Sequence, residues 1–115
     1  MKLPGADRTV VNASKIRGYL LSDAHPIGRF KAGFFATLGY SVTQWQVLEA
    51  GLRRHAVENE ALATEANEYG QKYEVRGRMV GPAGKTAMVV AVWIVLRTED
   101  FPRFVTAFPA SGARS

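Results

Sequence analysis

Cysteine is absent from the 115-residue sequence. That excludes a disulfide framework, a thiolate metal site and a cysteine nucleophile. Histidine is scarce: His25 and His55 stand thirty residues apart, a weak basis for a zinc site. Long apolar runs are missing as well. The longest, Ala87 to Leu96, is about half the length of a membrane-spanning helix. The first residues, Met1 to Asp7, carry no apolar stretch of signal-peptide length. A soluble, cytoplasmic protein with no membrane partner is the expectation. The glycines between Gly77 and Lys85 have the wrong spacing for a phosphate loop or a dinucleotide fingerprint, and they follow a strand into a hairpin. No serine lies in a nucleophile-elbow context. No motif calls for a metal or a cofactor.

What remains is an ordinary globular composition, 47% hydrophobic and 22% charged. The length suits one domain, taken as residues 1–110, with 111–115 as a frayed tail. Fifteen Lys and Arg stand against ten Asp and Glu, a net charge of +5 and a pI near 9.9. Such a balance fits a polyanion or an acidic protein partner; solubility alone is the plainer reading. Glu49, Glu58, Glu60, Glu65 and Glu68 gather in the middle of the chain. Arg29, Lys31, Arg76, Arg78, Lys85, Arg97 and Arg103 lie on both sides. If those flanks meet, they make one basic face.

The periodicity changes half-way along. Thr9 to Val11 fits a very short strand. Asn12 or Ser14 then offers an N-cap for a helix over roughly residues 15–21, with Ile16, Tyr19 and Leu20 inward. A second helix is expected from about Pro26 to Leu38, buried through Ile27, Phe30, Phe34, Phe35 and Leu38 and stopped by Gly39. Thr43 with Gln46 reads as a capping box for a third, over about 44–56, with Trp45, Leu48 and Leu52 inward. Residues 58–68 are polar and alanine-rich and fit either a short helix or a loop. After Gly70 the period becomes two. Tyr73, Val75, Gly77 and Met79 alternate with Lys72, Glu74, Arg76 and Arg78, a half-buried strand with one charged face. A turn at Gly81–Gly84 leads into residues 86–97, apolar on both sides and so a central strand. Residues 103–108 follow as another. Helices preceding strands make the fold α+β: two to three N-terminal helices packed on a three- to four-stranded antiparallel sheet.

The densest polar cluster is His25 to Lys31. His25 sits at the expected helix start with Arg29 four residues on, and a helix N-terminus carrying His, Arg and Lys suits a phosphate. His is also the side chain suited to proton transfer near neutral pH. The competing reading is a turn-capping His beside solvated cations. Lys72, Arg76 and Arg78 share a strand face able to follow a phosphate backbone. Trp93 is either core, which its apolar neighbours favour, or a stacking platform. Arg103 and Thr106, three apart on one strand, point to opposite faces unless a bulge intervenes. His55, at a helix end, is expected to interact favourably with the helix dipole.

A set of motifs runs through the chain: Met1 to Asp7; His25-Pro26-x-Gly28-Arg29-x-Lys31-Ala32 with Phe35 and Leu38-Gly39; Tyr69-Gly70-x-x-Tyr73; Gly81-Pro82-x-Gly84; Trp93-Ile94; and Pro102-Arg103-x-Val105-Thr106. The pattern resembles a bacterial domain family of unknown function whose members stand alone or end larger secreted proteins, a toxin-like habit. The layout also resembles the barnase–EndoU–colicin–RelE ribonucleases, an analogy of architecture. The resemblance implies metal-independent RNA cleavage: a base takes the 2′-OH proton, the oxygen attacks phosphorus, and an acid protonates the leaving 5′-oxygen. It implies His25 as acid or base, Arg29, Lys31 and Arg103 on the phosphate, Thr106 orienting it, and Tyr73 as the second proton-transfer group. Arg76, Arg78 and Trp93 would contact the RNA.

The implied partners are RNA and a cognate small antitoxin or immunity protein, with homodimerisation through an edge strand a further option. A non-catalytic module, either the inhibitor half of such a pair or an RNA-binding accessory, is the alternative. An inhibitor of a cationic nuclease is expected to be acidic, which a pI near 9.9 does not fit. An enzyme on a small phosphorylated or acidic metabolite is the third reading.

Overall fold

The computed structural model describes residues 1–22, 24 and 28–110; the side chains of 28–30 fall outside that description. The chain is α+β, as its periodicities imply. Helix α1 (Ala13–Lys15) runs on into a π-helical turn, Ile16–Leu20. Helices α2 (Gly28–Thr37) and α3 (Trp45–Glu58) follow. Strands β1 (Ala61–Ala66), β2 (Gly70–Val80), β3 (Thr86–Leu96) and β4 (Pro102–Pro109) form one antiparallel sheet in sequence order. Among the described residues no helix is long and apolar enough to cross a membrane.

Alternation decides which side of the sheet is buried. Val75 and Met79 of β2, Val89, Ala91 and Trp93 of β3, and Phe104 and Ala107 of β4 form one core with Ile16, Leu20, Phe35, Leu48 and Leu52 from the helices. The other side carries Leu62, Arg76, Arg78 and Met88 exposed to solvent. The apolar second face of β3 is therefore only partly covered: Val90 is buried, whereas Val92 and Ile94 are half-buried.

Several local expectations hold. The Asn12 side chain accepts from the Ser14 N–H at 3.0 Å and starts the first helical turn. Gly39 takes φ 101° and ends α2. The β2–β3 turn docks on that end: Ala83 N–H donates to Leu38 O at 3.0 Å, and a Cβ at Gly81 would stand 2.0 Å from the same oxygen. The Leu38-Gly39 and Gly81-Pro82 motifs thus form one structural joint.

Others are corrected. Residues 61–66 are a strand, neither helix nor loop, because β2 offers a free edge to pair with. The Thr43–Gln46 capping box does not form. Val42–Gln44 is a 3₁₀ turn, and the Thr43 hydroxyl lies 3.2 Å from that of Ser41. Thr9 to Val11 contributes a single bridge, Val10 to Arg103. His25, Pro26 and Ile27 lie outside the described residues, as does the tail at 111–115.

His55 lies in the last turn of α3, the helix end expected of it, and is buried at 2% exposure. Its Nε2–H points at two carbonyls paired across β2 and β3, Gly77 O at 3.2 Å and Val89 O at 3.0 Å. Nδ1 has no partner among the described residues. Burial holds the imidazole pKa below its usual 6.5, against the opposing pull of those carbonyls and of Glu58. The unfolded chain therefore binds the second proton first as pH falls, and stability is lost below about pH 6.5. The melting temperature is expected to drop between pH 7.5 and pH 5, and to drop less in His55→Gln. Equal acid sensitivity of the two proteins would remove His55 as the cause.

Candidate functional site

Three side chains from three separate elements converge at the β4 edge. Lys31, in the first turns of α2, donates to Tyr19 Oη at 2.7 Å and to Thr106 Oγ1 at 2.9 Å. Thr106 donates in turn to Tyr19 Oη at 3.3 Å. The ammonium also lies 5.0 Å from the Tyr19 ring centroid and 5.7 Å from that of Phe108. Tyr19, Val105 and Thr106, with Ser14, Lys15 and Gly18, line an open cleft of about 530 Å³.

The local backbone explains how the three meet. Leu21 N–H bonds to Ile16 O at 2.9 Å, the five-residue step of a π turn. Ile16 and Leu20 are fully buried, whereas Tyr19 is half-buried beside them. On β4 the register shifts: Phe104 pairs with Trp93 and Thr106 with Val92, so Val105 is an extra residue. Arg103 pairs with Ile94, two residues from Val92. The bulge therefore places Arg103 and Thr106 on the same side, where simple alternation opposes them.

The electrostatics follow from this packing. Burial opposes ionisation of Tyr19. Hydrogen bonds from Lys31 and Thr106, with the charges of Lys31 and Lys15, outweigh it and hold the phenol pKa below its usual 10.0. Lys31 meets hydroxyls rather than a carboxylate among its described contacts, so its charge is not neutralised there. An ammonium, a hydroxyl and a phenol biased toward phenolate can together bind a phosphate and move a proton.

The remaining candidates are dispersed. Arg103 forms a two-point pair with Glu99 at 2.8 and 2.7 Å and stacks over Phe101. Arg76 and Arg78 are exposed on the open face, opposite Val90 and Met88. Tyr73 pairs with Trp93 and packs against the core, so it is turned from the face that bears Thr106. Trp93 is fully buried, edge to face with Phe104 at 5.3 Å. It is core and has no surface on which a base can stack, which corrects its placement among the RNA contacts. Arg29 lies in α2 with its side chain outside the described residues, and His25 is not described.

The family profile described as "Domain of unknown function (DUF6883)" matches residues 2–111. The chain belongs to the DUF6883 family. No curated protein shows significant similarity to it. In fold, this DUF6883 domain is similar to a chain of a contact-dependent growth inhibition toxin–immunity protein complex from Klebsiella pneumoniae 342. The TM-score is 0.68 at 20% identity, covering 94% of this chain and 98% of that one.

Tyr19 is the member of the DUF6883 cluster that sequence reasoning assigned only to the core. One signal was present: Tyr19 and Lys31 lie on the two helical stretches that flank the break over residues 22–26, and consecutive helices joined by a short connection are often neighbours. Nothing in the sequence marked the bulge at Val105.

Proposed function

We propose that this DUF6883 domain is the toxin component of a toxin–immunity pair and cleaves RNA by attack of the 2′-oxygen on the adjacent phosphorus. The observation that carries the reading is the Lys31–Tyr19–Thr106 cluster beside the cleft. Lys31 and Thr106 hold the phosphate, and Lys31 stabilises charge that develops on it. Tyr19, in place of Tyr73, takes the 2′-OH proton. The 2′-oxygen bonds to phosphorus, the P–O5′ bond breaks, and His25 protonates the departing oxygen. The products are a 2′,3′-cyclic phosphate and a 5′-hydroxyl. Lys31 supplies the positive charge, so the steps need no metal. The net charge of +5 suits the polyanion. A chain of a toxin–immunity complex shares the fold, which supports a cognate partner protein, and the net charge of +5 suits an acidic one. RNA as the target places the action in a cytoplasm. Strand β1, at the sheet edge with Leu62 66% exposed, is where an inhibitor strand or a second copy would add.

Expression of wild type in a bacterial host, with RNA extracted minutes after induction, tests this reading. Growth arrest and discrete fragments ending in 2′,3′-cyclic phosphate are expected, and both are lost in Lys31→Ala and His25→Ala. Intact RNA with normal growth in all three strains would replace the enzyme with a non-catalytic binding module.

A further inference from the structure

The open sheet face holds charges that the cluster does not use, and they are not equivalent. Lys72 lies 3.8 Å from Glu65, and Arg103 is locked to Glu99. Arg76 and Arg78 are exposed and have no ion pair or hydrogen-bond partner among the described residues. They stand on the same side of β2, about 7 Å apart. Such a pair of free guanidinium groups is a standing attraction for phosphate.

Register relates them to the cluster. Arg76 pairs with Val90, which pairs with Phe108; Glu74 pairs with Val92, which pairs with Thr106. Arg76 therefore lies across β3 from Phe108, about 10 Å away over two strand spacings, and Arg78 stands two residues further along β2, toward the β2–β3 turn. On this face Val92 and Phe108 are half-buried and Met88 is exposed, while Val90 is buried. The half-buried and exposed side chains offer apolar cover and one aromatic ring to bases. Glu74, also on this side of β2, repels phosphate from the row directly opposite Thr106. The other exit, toward Lys72 and Arg103, is flanked by Glu65 and Glu99. The free positive charge lies toward the β2–β3 turn.

We infer that a single RNA strand crosses this face from Thr106 toward Arg76 and Arg78, which hold a phosphate flanking the scissile one, so that the substrate is an oligoribonucleotide rather than a dinucleotide. The inference rests on the ribonuclease reading and adds to it a direction and a minimum length. A duplex fits poorly, since its bases are stacked inward and cannot lie on Phe108 and Met88. Arg103, neutralised by Glu99, contributes little.

The test compares substrates that differ only in length. Purified wild type, Arg76→Ala/Arg78→Ala and Arg103→Ala are assayed on a dinucleoside monophosphate, which has no flanking phosphate, and on a single-stranded oligoribonucleotide. The double variant is expected to lose about ten- to a hundredfold in kcat/KM on the oligonucleotide, mostly through KM, and to match wild type within about twofold on the dinucleotide. The salt slope of log kcat/KM on the oligonucleotide should fall by about 0.7 for each phosphate that is no longer bound. Arg103→Ala should stay near wild type on both. Unchanged cleavage of the oligonucleotide by the double variant would overturn the path and leave the face to a protein partner. Equal losses on both substrates would also overturn it. If wild type cleaves neither, the ribonuclease reading falls by itself. Fluorescence anisotropy with the labelled oligonucleotide then decides the path: binding lost on removing Arg76 and Arg78 supports it, and binding indifferent to them or absent overturns it.

Discussion

Lys31→Ala is expected to slow RNA cleavage by purified protein by about 10²- to 10³-fold, the effect of removing one preorganised charge donor from a transition state. Lys31 is the cationic member of the cluster and makes its two shortest contacts, at 2.7 and 2.9 Å. Its loss removes the cation facing the phosphate and the charge that biases Tyr19 toward phenolate. The side chain is only half-buried, and α2 remains anchored by Phe35 and Leu38. The variant should therefore fold, and a melting temperature near that of wild type would show it. Lys31→Arg keeps the charge, but its planar fork cannot reproduce the compact contact with two hydroxyls, and only partial rescue is expected. Cleavage by Lys31→Ala within about threefold of wild type would move the chemistry elsewhere.

Tyr19→Phe is expected to cost about 10²- to 10⁴-fold in cleavage, the range for loss of a positioned proton-transfer group. The substitution keeps the ring under the Lys31 ammonium and the 2.9 Å contact of Lys31 with Thr106, and deletes only the hydroxyl. The pH profile separates a chemical role from a structural one. Because the phenol pKa is lowered, the active phenolate grows in below pH 10, and the wild-type rate should rise through that region. Lys31→Met should push the rise toward higher pH, and Lys15→Ala should push it by less. Tyr19→Phe should abolish it. A slower variant with an unchanged profile would make Tyr19 a positioning residue.

The legible parts of the molecule are those governed by short-range pattern. Alternation at Val75, Gly77 and Met79, and the unbroken apolar run of β3, specify strands because side chains alternate sides every residue. Leu48 and Leu52 mark the buried stripe of α3 by the same logic at helical spacing, and both are fully buried. Strand β1 defeats this reasoning. Five of its six residues are exposed, and its alanine-rich sequence has no strand preference. It is extended because β2 supplies hydrogen-bonding partners, a fact of tertiary structure.

The candidate site divides in the same way. The sequence by itself determined a basic α+β chain without cysteine, strands whose charged side is fixed by alternation, and Lys31, Thr106, Arg76 and Arg78 as separate candidates. Only the tertiary structure decided that Tyr19 joins Lys31 and Thr106, that Trp93 is core, that His55 pins the sheet, and that Glu99 neutralises Arg103. The physical reason is distance along the chain. Twelve residues separate Tyr19 from Lys31 and seventy-five separate Lys31 from Thr106. Contacts of that span depend on how the helices close over the sheet and on one extra residue at Val105, neither of which local periodicity encodes.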